Sequence, residues 1–238
     1  MNVKSFNIGD YPYMVMTLLF SMLFAAAFII SPVKQRRPML ISALLATPCC
    51  FASIFFVPGY WDPVRIVTFI VGPEDLLFSF TTGGLAWFLA TWPMRNYMEC
   101  ELRSRLIIRR YLICVFLGST VNAVFLVFGF GVMISAIFGV LLVGTALLLW
   151  QKDLWPLQPI GLISFAVLYF IVIKWVFTVF PEFSLQWSAE NLWGLTVWGI
   201  PLEEIAWAAA CGAFWPFIAA YLFNVRLIPL SRLMLLPP

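Results

Sequence analysis

The feature that most constrains this chain is a succession of apolar runs, each about as long as a helix needs to cross a bilayer. Seven can be marked, at 11–31, 38–58, 66–92, 111–129, 131–150, 159–180 and 191–223. Hydrophobic residues make up 63% of the chain and charged residues 11%, about half the charge fraction of a soluble domain. Inside a bilayer every backbone polar group must be satisfied within the structure, so runs of this length read as helices. The expected fold is an all-α, multi-pass integral membrane protein with seven transmembrane helices.

Basic residues orient the helices through the positive-inside rule. With the N-terminus outside, segments 32–37, 93–110, 151–158 and the stretch after the seventh run face the cytoplasm. They hold Lys34, Arg36, Arg37, Arg95, Arg103, Arg105, Arg109, Arg110, Lys152, Arg226 and Arg232, eleven of the fourteen basic residues. Lys4 and Arg65 stay outside, and Lys174 falls within a span. The C-terminus is then cytoplasmic, and the expected location is a cell membrane of the prokaryotic inner-membrane type. The opening MNVKSFNIGDYPYM is not read as a cleaved signal, because the run after it is long enough to span and a basic stop follows.

Several chemistries are excluded by composition. The chain has no histidine, which removes Ser-His-Asp and Cys-His catalysis and His-ligated metals. Cys49, Cys50, Cys100, Cys114 and Cys211 show no C-x-x-C spacing and read as small core residues. No glycine-rich nucleotide motif and no basic tract for nucleic acid are present. No metal and no cofactor are expected.

Against this background, two pairs of adjacent acids stand inside apolar runs: Glu74-Asp75 in GPEDLLFSF and Glu203-Glu204 in GIPLEEIAWA. The other acids, Asp10, Asp62, Glu99, Glu101, Asp153, Glu182 and Glu190, fall in loops or near interfaces. A carboxylate in a membrane is costly, and such residues are either functional or hydrogen-bonding glue between helices. Two matching pairs favour function. The third and seventh runs are longer than a span needs, and a breaker precedes each pair, Gly72-Pro73 and Gly199-Ile200-Pro201. Either both helices are long and kinked, with the acids at mid-depth, or helices begin at Pro73 and Pro201. In the second case 61–71 and 191–200 are interfacial or re-entrant pieces.

The two acidic segments align with each other at an offset of 129 residues. Glu74 falls on Glu203, Asp75 on Glu204, Leu76 on Ile205, Phe78 on Trp207 and Gly83 on Gly212. Each pair lies in the third span of a set of three. Residues 1–110 and 131–238 then form two repeats, and 111–130 is a linker helix, a 3+1+3 layout. An odd linker leaves the repeats parallel, so that a pseudo-twofold axis brings the acidic pairs toward one site.

Four carboxyl groups in apolar surroundings cannot all be ionised, so a mixed state is expected, one group serving as acid and another as base. Phe78 lies four residues beyond Glu74 and Trp207 four beyond Glu203, on the same helix faces. With Trp198 in the same span, they are candidates to stabilise a cation; aromatic residues are also ordinary membrane filler and interfacial anchors. Lys174 does not read as a retinal site, because the seventh run contains no lysine; snorkelling to the interface accounts for it better.

The segments GIPLEEIAWA and GPEDLLFSF, with YWDPVRI and ENLWG before them, resemble the membrane-integral lycopene cyclases of the heterodimeric bacterial type and their fused relatives. That family carries a Pro-x-Glu-Glu/Asp motif in each of two three-span units. Pro201, Glu203 and Glu204 fit the motif fully. In the first copy Gly72 takes the place of the motif's proline, and Pro73 the variable position. The resemblance implies carotenoid biosynthesis by an isomerase or intramolecular lyase, with Glu74, Asp75, Glu203 and Glu204 catalytic. A carboxylic acid protonates the terminal alkene of lycopene or a related polyene, the cation closes a ring, and a carboxylate removes a proton to leave a β-ionone ring. Gly72, Pro73, Pro201, Gly83 and Gly212 supply the motif's backbone. The partners implied are a lipid-dissolved polyene and membrane lipids; association with other carotenoid-pathway enzymes stays open. A carotenoid hydratase, another isoprenoid cyclase, a proton-coupled transporter and a non-enzymatic scaffold are the competing readings. Polar residues inside the spans are sparse away from the acids, with Ser119, Thr120 and Asn122 the main exceptions, which favours a lateral, lipid-facing pocket over a transport path.

Overall fold

The computed structural model describes residues 8–67 and 69–228. Eight α-helices follow one another: α1 (Pro12–Ile30), α2 (Val33–Ala46), α3 (Ser53–Phe56), α4 (Pro73–Thr91), α5 (Ser104–Val127), α6 (Val132–Trp150), α7 (Leu157–Val179) and α8 (Leu202–Leu222). A 3-10 stretch, Thr47–Ala52, joins α2 to α3, so Val33–Phe56 is a single helical rod of 24 residues. Four two-residue strands complete the regular structure: β1 (Met98–Glu99), β2 (Thr196–Val197), β3 (Ile200–Pro201) and β4 (Arg226–Leu227). β1 pairs antiparallel with β4, and β2 with β3. Lys4, Arg232 and the outer ends of the two expected repeats lie outside the described residues.

Among the described residues, six helical segments are long and apolar enough to cross a membrane: α1, the α2–α3 rod, α5, α6, α7 and α8. The protein is an all-helical membrane protein. α4 is as long as α1, at 19 residues, but Glu74, Asp75, Thr81, Thr82, Gly83 and Gly84 lower its hydropathy. Packing explains why such a helix is tolerated. α4 packs against α1, α2, α7 and α8, so its polar groups face protein rather than lipid. α5 is the opposite case. It packs on α6 and α8 and buries only Ile107 and Cys114, leaving an apolar outer face suited to hydrocarbon.

The boundaries differ from expectation where the acids are. The third and seventh runs, 66–92 and 191–223, are not continuous helices. α4 starts at Pro73 and α8 at Leu202, directly after the prolyl and glycyl breakers. Proline suits a helix start because the missing N–H has no intrahelical partner there anyway. Of the two readings of these runs, the structure therefore takes the one with helices beginning at the prolines. The loop expected at 93–110 is also shorter, because Arg105, Arg109 and Arg110 stand in the first two turns of α5.

Gly83 and Gly212 each mark a close helix crossing. Gly83 packs against Ala46 of α2, and Ser42 Oγ donates a 3.0 Å hydrogen bond to its carbonyl. Gly212 of α8 lies backbone to backbone against Gly161 of α7. Pro216 contributes to this second crossing. It has no N–H to give to the carbonyl four residues back, so the Gly212 carbonyl is free to face Gly161. Small residues at such crossings let helices approach and gain dispersion contacts, the main attraction between helices in lipid.

A two-loop cap closes the end of the bundle at which α4 and α8 begin. Asp62 N–H donates to the Gln186 carbonyl at 2.7 Å, and Ser188 N–H to the Tyr60 carbonyl at 2.9 Å. Trp61 and Trp187 form an antiparallel bridge, with ring centroids 5.4 Å apart. Segments 57–72 and 180–201 are thus joined although more than a hundred residues separate them in sequence.

A methyl group at Gly212 would run into the Gly161 backbone, which has no rotamer by which to retreat. Gly212→Ala should therefore cost about 1–3 kcal/mol or more, read as a lowered thermal midpoint in detergent. Gly118→Ala on α5, where nothing lies within 4 Å, should leave the midpoint unchanged or slightly raised.

Candidate active site

Both acidic pairs occupy the same place in their helices. Glu74 and Asp75 are the second and third residues of α4, and Glu203 and Glu204 the second and third of α8. A helix N-terminus presents unsatisfied N–H groups and a positive dipole end, so it is a favourable place for negative charge. All four side chains are buried: Glu74 and Glu203 are 0% exposed, Asp75 2% and Glu204 6%. Burial on this scale requires hydrogen-bond partners.

The second acid of each pair is saturated with them. Asp75 accepts from Tyr13 Oη at 3.0 Å, Ser53 Oγ at 2.9 Å and Gly72 N–H at 2.7 Å. The Gly72 contact is a helix-capping bond, from the residue before the helix to the third residue within it. Arg65 Nη2 adds an ion pair, 3.1 Å from Asp75 Oδ2. Glu204 accepts from Tyr60 Oη and Trp187 Nε1 on Oε1, both at 3.0 Å, and from Tyr169 Oη on Oε2 at 2.6 Å. These donors come from α7 and from both loops of the cap. Tyr60, in the first half of the chain, thus holds an acid of the second half.

The first acid of each pair is treated differently, and in the same way in both. Glu74 Oε1 accepts the Ile66 N–H at 2.8 Å, and Glu203 Oε1 accepts the Trp193 N–H at 2.8 Å. The other oxygen, Oε2, is buried and has no hydrogen-bond partner among the described residues in either case. A loop amide therefore fixes each carboxyl while one oxygen stays uncommitted.

An aromatic wall joins the two pairs. Phe78 and Trp207 stack on each other, with centroids 5.7 Å apart and planes inclined by 23°. Tyr169 packs against both, at 6.5 Å from Phe78 and 5.6 Å from Trp207. Tyr13 lies 6.3 Å from Phe78, and Phe20 lies 5.8 Å from Phe78 and 6.0 Å from Tyr169. Phe78 and Trp207 are half-buried, whereas the acids are fully enclosed, so the wall reaches the side of the bundle. Electron-rich faces beside carboxyl groups can stabilise a positive charge that appears during reaction.

Of the residues singled out in the sequence, Glu74, Asp75, Glu203, Glu204, Phe78 and Trp207 are brought to this end of the bundle. Gly72, Pro73 and Pro201 form the helix starts. Gly83 and Gly212 lie further along their helices, at the crossings described above. Trp198 is not gathered in. Its side chain is 74% exposed, its ring packs on Phe170 at 5.5 Å, and its carbonyl accepts from Lys174 Nζ at 2.9 Å. The donors Tyr13, Ser53, Tyr60, Arg65, Tyr169 and Trp187 were not among the candidates. Tyr60 and Arg65 stand in YWDPVRI, and Trp193, whose amide holds Glu203, stands in ENLWG, so those two segments carried a signal. Tyr13 and Tyr169 lie within apolar spans with no pattern to mark them.

Residues 131–222 match the sequence model of the lycopene cyclase family. The match runs from the start of α6 to the end of α8 and includes Pro201, Glu203, Glu204, Trp207 and Gly212. No curated protein and no solved structure matches the chain. The resemblance to lycopene cyclases holds over that segment.

Tyr169→Phe removes the shortest hydrogen bond to Glu204 while keeping the ring. A bond to a charged group is worth about 1.5–3 kcal/mol, so the variant should show a lowered thermal midpoint in detergent.

Proposed function

We propose that this protein is a cofactor-independent cyclase that closes a β-ionone ring on lycopene or a related linear polyene dissolved in the bilayer. The observation that carries this reading is the pair of buried carboxyls, Glu74 and Glu203, each with one oxygen held by a loop amide and one unpartnered among the described residues, and each one helical turn before the stacked Phe78 and Trp207. A carboxylic acid donates its proton to the terminal alkene of the polyene. The π electrons of that bond form the new C–H bond and leave a tertiary cation. The neighbouring internal double bond attacks the cation and closes the ring. A carboxylate then takes a proton from the carbon next to the relocated cation, and those C–H electrons become the ring double bond. Substrate and product have the same composition, so the enzyme is an isomerase, or intramolecular lyase, without redox balance to maintain.

In this reading Glu74 and Glu203 exchange protons with the substrate, and Asp75 and Glu204 are anchors. The partners of Asp75 and Glu204 support the division, since each of their oxygens already holds at least one donor, whereas Glu74 and Glu203 each keep an oxygen with none among the described residues. Phe78, Trp207 and Tyr169 flank the cation. The half-buried wall suits lateral access from the lipid, and the two-loop cap keeps water from the cation. Water capture would give a hydrated carotenoid instead, so the cap favours the cyclase over the hydratase.

The same reading includes seven crossings, with α4 as the enclosed seventh. At 1.5 Å per residue it is about 28 Å long, close to the thickness of the hydrocarbon core. α1 to α4 and α6 to α8 are then parallel repeats, with α5 between them and the capped end outside. Support comes from the matching positions of the acids, the matching loop amides on Glu74 and Glu203, and the matching crossings at Gly83 and Gly212. Association with other enzymes of the carotenoid pathway fits a substrate that never leaves the bilayer.

Expression in lycopene-accumulating cells tests the reading through pigment analysis. The wild type should convert lycopene to cyclised product, and Glu203→Gln should lower conversion by about a hundredfold or more at unchanged protein level. Unconverted lycopene with folded wild-type protein would exclude this substrate.

A further inference from the structure

The two acidic pairs share their geometry but not their charge. Arg65 lies 3.1 Å from Asp75 and is itself nearly buried, with its side chain 6% exposed. Its Nη1 donates to the carbonyls of Ile70 at 2.7 Å and Phe69 at 3.2 Å, so the guanidinium is held in place by its own loop. Glu204 receives its hydrogen bonds from two phenols and an indole, all of them neutral. Among the described residues Glu203 is bonded only to a backbone amide. Among the described residues no basic side chain forms an ion pair with Glu203 or Glu204. Lys174, on neighbouring α7, is turned outward onto the Trp198 carbonyl. One pair thus has a buried counter-charge and the other has none.

Resting on the cyclase reading, we propose that Arg65 makes the two pairs unequal: Glu203 delivers the proton and Glu74 takes it back. A second negative charge next to Asp75 is tolerable where a fixed guanidinium offsets the first. The same charge next to Glu204 has nothing to offset it, and burying an uncompensated pair of charges is far more costly than burying one. Glu203 therefore rests as the neutral acid and Glu74 as the carboxylate. The unpartnered Oε2 of each supplies the reacting atom: a proton on Glu203, a lone pair on Glu74.

The step balances without another reagent. The O–H bond of Glu203 breaks as a C–H bond forms on the polyene, which leaves a carboxylate and a carbocation. Ring closure moves the cation, and Glu74 then removes a ring proton as the new double bond forms. At the end Glu203 is ionised and Glu74 protonated. Release of one proton to water and uptake of another at the capped end of the bundle restore the starting state. Arg65 is a positioning residue in this scheme. It sets the charge of the first pair through Asp75 and does not itself touch the polyene.

Purified full-length protein in lipid nanodiscs, given lycopene, separates these roles when substrate loss and product profile are measured together. Glu203→Gln should reduce lycopene loss by about a hundredfold or more. Glu74→Gln should still consume lycopene, with a loss of about tenfold or less, but divert the cation to other double-bond isomers or to a water adduct. Arg65→Gln should divert products in the same direction, and Arg65→Lys, which keeps the charge, should restore the wild-type profile. Equal loss of consumption in Glu203→Gln and Glu74→Gln would overturn the proposal, as would diverted products from Glu203→Gln alone. An unchanged profile in folded Arg65→Gln would remove Arg65 from the mechanism. If Arg65→Gln does not fold, the two glutamate variants decide the matter. Wild-type protein that leaves lycopene untouched would refute the cyclase reading itself, an outcome distinct from any of these.

Discussion

The structure depends on how four carboxyl groups are buried at one end of a helical bundle. Each must find donors, and an apolar span has few to offer. The solution is to start two helices at the acids, so that loops rather than helical backbone lie beside them. Those loops bring amides, a phenol, an indole and a guanidinium, and α1 and α7 add two further phenols. Much of the remaining architecture serves this arrangement: the prolines that start α4 and α8, the interlocked loops, and the enclosure of α4 by four neighbouring helices. A continuous helix through 66–92 or 191–223 would have taken up into its own helical backbone the amides of Ile66 and Trp193 that hold Glu74 and Glu203.

The two acids in each pair have separate tasks for a related reason. A carboxyl with donors on both oxygens is held in place, whereas one with an unpartnered buried oxygen keeps an atom available for proton exchange. Adjacent positions on the first turn give one acid of each pair several side-chain donors and leave the other with a single loop amide. Cross-connection between the halves strengthens this. Tyr60 reaches Glu204 from the other half of the chain, and Phe78 stacks on Trp207. Neither half holds a complete site by itself, which fits a polyene site shared between the two.

Some elements could be read directly from the residues. Apolar length and the absence of histidine bounded the fold and excluded whole classes of chemistry. The paired acids, their breakers and the aromatic residues four positions on marked the acidic segments and part of the wall, with a helix start at the breakers as one of two readings. Helical periodicity is local, so spacing within one segment reliably predicts which side chains share a face. The Phe78–Trp207 stack shows both the strength and the limit of that reasoning. Each residue was marked from its own acid, but that the two rings meet follows from the packing of α4 on α8. Trp198 shows the limit more sharply. It lies close in sequence to Glu203, yet the turn before α8 directs its ring outward to Phe170.

The sequence alone established a succession of membrane-length apolar runs with two acidic pairs directly behind Gly/Pro breakers, and the structure decided that helices begin at those breakers. Those properties follow from hydrophobicity and local backbone preference, which act over a few residues. Tertiary structure alone decided which oxygens are saturated and which are free, and that Arg65 serves one pair and not the other. The donors to Asp75 come from up to 62 residues away and those to Glu204 from up to 144. No local pattern encodes a partner at that distance, because the contact exists only once the helices have packed and the loops have closed over them.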